Sequence, residues 1–116
     1  MNTNKFIEII DSIVVKSAIN IVKKNITAPA GRSPQQKHII MSSFYNSLNE
    51  DQKINVDMII KESVQSAVFR FLCVLDGVTA IEGADKGELK LYYERNGESN
   101  LINDPGVDLH DLMNRD

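Results

Sequence analysis

The sequence predicts an α+β fold: three amino-terminal helices packed on a three-stranded antiparallel meander, closed by a short carboxy-terminal helix. Three observations carry this. Apolar residues recur at helical spacing through the first two thirds of the chain, period-two alternation takes over after Gly77, and Asn96-Gly97 stands between two alternating runs as the pair of a tight hairpin turn does.

A first helix is predicted from Lys5 to Ile26, capped by Thr3 or Asn4, with Lys23 and Lys24 at the end where the helix dipole favours cations. Phe6, Ile7, Ile10, Val14, Val15, Ala18, Ile21 and Val22 occupy most of its circumference and leave only a thin polar strip of Ser12, Lys16 and Lys23. Such a helix belongs at the centre of the fold or in an interface with another chain, and the centre is the expectation. Pro29 and Gly31 break the pattern. Ser33, Pro34 and Gln36 then read as cap, first helical residue and capping-box partner of a second helix, which carries Ile39, Ile40, Phe44 and Tyr45 to about Ser47. Asn49 and Gln52 repeat that box and open a third helix, which runs to Asp76 and ends at Gly77, the residue that most readily turns left-handed.

Val78 to Glu82 is the first predicted strand. Glu88 to Glu94 is the second, with Leu89, Leu91 and Tyr93 on its inward face, and Glu98 to Ile102 returns as the third. Asp104-Pro105-Gly106 stops the sheet, and Val107, Leu109, Leu112 and Met113 suggest the final helix. With no repeat and no long linker, residues 1–116 form a single domain.

Composition narrows the function classes. A chain of 116 residues is long enough to fold on its own core. The single cysteine, Cys73, rules out an intramolecular disulfide and a multi-cysteine metal knuckle, so a reducing, cytoplasmic setting is expected. No apolar run approaches the roughly 20 residues needed to span a bilayer, and Glu8 and Asp11 spoil the amino terminus as a signal peptide. Residues 1–75 hold nine Lys and Arg against six Asp and Glu, whereas residues 76–116 hold four against ten. The acidic end repels nucleic acid and attracts a basic protein partner.

Single residues with chemistry are few. Arg70 interrupts the apolar run "SAVFRFLCVLDGV" and continues a helical stripe of Ser63, Ser66 and Cys73. It is expected to pair with an acid of the last third, Glu82, Glu94 or Asp104; the alternative is a clamp for a carboxylate or phosphate ligand, working with His110 in a cleft between the third helix and the sheet. Asp104, Asp108, His110 and Asp111 crowd together, but adjacent His110 and Asp111 diverge on a helix, so neither a metal nor another cofactor is expected. His38 is far in sequence from any nucleophile, and GADKGE lacks the Gly-Lys-Ser or Gly-Lys-Thr ending of a phosphate cradle.

The segments "SAVFRFLCVLDGVTAIE" and "GELKLYYERNGESNLINDPGVDLHDLMN" resemble small stand-alone bacterial proteins of unassigned function, in the style of immunity proteins that neutralise secreted toxin domains. The resemblance covers roughly Ser63 to Asn114, and none of its motifs assigns a role to a residue. It implies a cytoplasmic, non-catalytic inhibitor. The expected function is a binding protein whose acidic last third docks on a basic, nuclease-like toxin domain through Glu82, Asp85, Glu88, Glu94, Glu98, Asp104, Asp108 and Asp111. The alternatives are an enzyme or ligand-binding domain built on Arg70, His110 and the carboxylates around it, and a homodimer joined by the first helix.

Overall fold

The structure, a computed structural model, describes residues 1–81, 83 and 87–116. Its first helical run is continuous from Thr3 to Thr27 but changes pitch twice: α1 (Thr3–Ile9) is regular, Ile10–Lys16 is π-helical, and α2 (Ser17–Thr27) is regular again. The change has a packing cause. Ile7 and Val15 are both buried, yet a separation of eight positions overshoots two α-helical turns by about 80°. The wider π turns absorb that excess and bring both side chains to one side. The cap is Asn2, whose side chain accepts the Lys5 N–H, in place of the expected Thr3 or Asn4; Thr3 instead donates across the fold to the Ile102 carbonyl. Nor is this run surrounded, as its sequence suggested, for Ile13 and Ile21 are 65% and 57% exposed.

Helix α3 (Gln36–Asn46) starts later than the Ser33 signal implied. Gln35 is still extended, with φ −61° and ψ 142°, so neither Ser33 nor Pro34 enters the helix and the expected box does not form. The box at the next helix does form: Asn49 accepts the Gln52 N–H and the Gln52 side chain accepts the Asn49 N–H, opening α4 (Glu50–Leu75). Gly77 follows with φ +77°. Helix α2 lies between α3 and the first half of α4. Ser42 and Asn46 of α3 both donate to the Thr27 carbonyl at the end of α2. Asp57 of α4 accepts from the Tyr45 hydroxyl at 3.0 Å and pairs with Lys23 at 3.7 Å.

The predicted three-stranded meander is not what forms. Among the described residues the sheet is a two-stranded hairpin, β1 (Tyr92–Arg95) paired antiparallel with β2 (Glu98–Leu101), so the fold is mostly helical. Its turn is the expected one, with Asn96 and Gly97 both left-handed at φ +53° and +82°. The first predicted strand fails because its backbone is already engaged: the N–H groups of Val78 and Thr79 donate to the Cys73 carbonyl and close the end of α4. The part of that strand at Glu82 lies outside the described residues.

The second predicted strand shortens because a side chain replaces its neighbour. Asn103 Oδ1 accepts the Leu91 N–H at 2.8 Å, while Asn103 Nδ2 donates to the carbonyls of Leu89 at 2.7 Å and Leu75 at 2.8 Å. One amide thereby ties the end of α4 to the base of the hairpin. The inward face read along this strand is absent, since Leu89 and Tyr93 are exposed and only Leu91 is half-buried.

The core sits at this end of the molecule. Ile7, Leu72, Ile102 and Leu109 form its buried centre, Leu109 coming from the single-turn α5 (Leu109–Leu112), with Phe6, Val68, Leu75, Leu91 and Met113 packed around them. The opposite end, an arm made of α2, α3 and the first half of α4, buries Ile26 and Ser42, and the inner side of α4 there, at Val56, Asp57 and Ile60, is only half-buried. No helix among the described residues is long and apolar enough to cross a membrane.

Candidate functional site

The strongest polar constellation lies where α4 ends. Asp76 is the residue after the helix, and its side chain is only 2% exposed. It is neutralised locally: one oxygen, Oδ2, accepts the His110 backbone N–H at 2.9 Å and the His110 ring Nδ1 at 2.7 Å. Phe69, two turns earlier on α4, meets the His110 ring edge-on with centroids 5.6 Å apart. The Arg115 guanidinium stacks on Phe69 at 4.4 Å and reaches Ser66 and Glu62. The bond to the carboxylate favours the protonated ring, so the His110 pKa is raised above its usual 6.5. The Asp76 hydrogen bond is the main cause; burial opposes it, and the charges of Asp111, Asp76 and Asp108 add to it.

Chemically this cluster is a clamp. An Asp–His pair becomes a catalytic base when the far ring nitrogen faces a hydroxyl or thiol; here His110 Nε2 faces the Asp111 carboxylate at 3.4 Å. Asp76, Asp108 and His110 can each bring one donor atom within 4.8 Å of the others. A cation there would compete for the Nδ1 and Oδ2 atoms that already bond each other, so the bond between them and the seating of α5 would be lost.

Arg70 does not join this cluster. It is exposed and, among the described residues, enters no ion pair; the structure sets Phe69 against His110. The cation near the cluster is Arg115, which no local pattern announces because its contact with Ser66 spans 49 positions of sequence. Arg70 also lines neither of two surface hollows: an open groove of about 630 Å³ where Arg115 and Asp116 meet Met58, Ile59, Glu62 and Gln65 of α4, and a second beside the hairpin lined by Lys5, Tyr93, Arg95 and Glu98.

Of the eight carboxylates read as a docking surface, Glu82 and Asp85 lie outside the described residues. The other six are exposed but do not share one face. Alternation along the hairpin puts Glu94 on the side of Ser99, opposite to Glu98, which pairs across from Arg95. Asp104 accepts the Gly106 N–H in its own turn, Asp108 precedes α5, and Asp111 lies beside His110.

The arm also presents bare apolar side chains. On α3, Ser42, Tyr45 and Asn46 are engaged with α2 and α4, so Ile40 and Phe44, one turn apart, point the other way; each is 59% exposed. Ile21 of α2 and Ile54, Met58 and Ile59 of α4 are comparably bare. Helical spacing had marked Ile21, Ile40 and Phe44 as apolar positions without telling that they face outward. Comparison with protein-family models, curated proteins and solved structures finds no match to this chain.

Proposed function

We propose that the chain is a non-catalytic protein-binding protein whose working surface is the outward face of the α2–α3–α4 arm. The observation that carries this reading is the Ile40–Phe44 pair, two large side chains held in water on a helix whose Ser42 and Tyr45 are turned toward α2 and α4. Burying a side chain of that size contributes roughly 1.5–3 kcal/mol, so a partner that covers this face gains from each of them. The polar cluster at Asp76 and His110 supports the same reading, because its atoms hold elements together and present no group to a substrate. Purification of the full chain with an affinity tag from its native cell tests it: a stoichiometric protein partner is retained, and Ile40→Glu with Phe44→Glu loses it while circular dichroism stays unchanged. A folded chain that is always recovered alone and as a monomer overturns the reading.

The exposure of Glu88, Glu94, Glu98, Asp104, Asp108 and Asp111 supports a second reading, in which the acidic last third docks on a basic partner such as a nuclease-like toxin domain. Charge steering makes such association fast at low salt and slow at high salt. Reversal of Glu94 and Asp108 to lysine then slows it at low salt. An association rate that neither salt nor these reversals change removes this reading.

A further inference from the structure

We propose that the partner covering the arm is a second copy of this chain, so that the protein is a homodimer joined through α2, α3 and the first half of α4. This rests on the reading of the arm as a binding surface and names its occupant.

The first argument is area. A monomer of 13.0 kDa is expected to expose about 6,300 Å², and this chain exposes 8348 Å². Its radius of gyration is 18.2 Å, against about 13 Å for a compact domain of this length. The excess, on the order of 2,000 Å² per chain, falls within what each subunit of an obligate homodimer buries, roughly 1,000–2,500 Å². The arm contributes to this surplus: Ile21, Ile40, Phe44, Ile54, Met58 and Ile59 are more than half exposed, while the buried core of Ile7, Leu72, Ile102 and Leu109 lies at the end that holds the hairpin and α5.

The second argument is charge. In a two-fold dimer the same patch meets itself, so a patch of one sign opposes its own copy. Helix α3 carries one cation, Lys37, and no acid. Beside it Lys23 pairs with Asp57 and Lys53 with Glu50. The arm is therefore compatible with its own copy, whereas the last third, with ten acids against four basic residues, repels its copy and stays outside the contact. The third argument is local stability. An isolated helix as short as the 11-residue α3 is marginal in water, and within the chain it is held on its inner side alone. Covering Ile40 and Phe44 from a second chain supplies the missing half of its packing.

Sedimentation equilibrium of the full chain at micromolar concentration decides it. The expected mass is twice that of one chain, and the thermal midpoint rises with protein concentration, as it does when folding and association are linked. Ile40→Glu with Phe44→Glu raises the dimer dissociation constant by at least about 100-fold, each change counting twice across the two-fold axis; Tyr92→Ser on the exposed hairpin leaves the dimer intact. Should the double variant fail to fold, the wild-type mass and its concentration-dependent midpoint still decide. A wild-type chain with single-chain mass and a concentration-independent midpoint overturns the dimer. If such a monomer still retains a different protein through Ile40 and Phe44, the binding reading stands without the dimer; if it retains nothing, both fall.

Discussion

His110 bonds one oxygen of Asp76 twice, from its ring Nδ1 at 2.7 Å and from its backbone N–H at 2.9 Å, and so fastens the single turn of α5 beneath the end of α4. The next residue back along the chain, Leu109, is fully buried. The polar clamp and the apolar plug therefore act together, one directing the turn and the other filling the space below it.

The clamp makes stability depend on pH. Because the folded state raises the His110 pKa above 6.5, the protonated form contributes stability that is fully present below the unfolded value and is lost as pH rises through the folded one. As pH rises from about 6.5 through the raised folded-state value, the thermal midpoint of the wild type should fall relative to that of His110→Gln, which carries no ionisable group at this position. A constant difference between the two curves would show that the bond does not discriminate between the protonation states.

Asn103 should be the polar residue least tolerant of change. Its amide serves three backbone groups, on Leu75, Leu89 and Leu91. Asn103→Ala leaves these without their partner and should cost about 2–3 kcal/mol in urea unfolding. Asn103→Asp keeps an acceptor for the Leu91 N–H but turns a carboxylate toward two carbonyl oxygens, so it should be no better than alanine.

Leu109→Ala removes a side chain of 0% exposure from the core, and large-to-small changes at such positions cost about 2–5 kcal/mol. Leu112→Ala, on the same turn but exposed, should cost well under half as much. Equal losses at the two positions would mean that α5 matters as a turn and not as a plug.

The cap of α4 is a local device with a local value. Asn49→Ala removes the acceptor of the Gln52 N–H and should destabilise the chain by about 1 kcal/mol, with Asn49→Asp or Asn49→Ser recovering most of it. Chemical denaturation of the three variants reads this directly.

The elements that could be read from the sequence are those whose causes lie within a few residues. The Asn49–Gln52 box, the left-handed Gly77 and the Asn96-Gly97 turn all stand where they were expected, because each depends on side chains three or fewer positions away. The first predicted strand was misread for the opposite reason. Val78 to Glu82 has the composition of a strand, but a strand exists only by pairing, and the backbone of Val78 and Thr79 closes α4 while the Asn103 amide bonds the hairpin's edge. The candidate site divides in the same way: His110 and the acids near it were legible as a polar cluster, whereas Asp76, Phe69 and Arg115, which give that cluster its geometry, come from elsewhere in the chain.

By itself the sequence determined where α4 begins and ends, where the chain doubles back at Asn96-Gly97, and that its last third is acidic, since propensity, capping and charge are properties of neighbours. Only the tertiary structure decided which carboxylate meets His110, which amide stands in for a strand, and which apolar faces are left bare. Hydrophobic periodicity records that a face avoids water; whether that face is covered depends on the three-dimensional path of the rest of the chain.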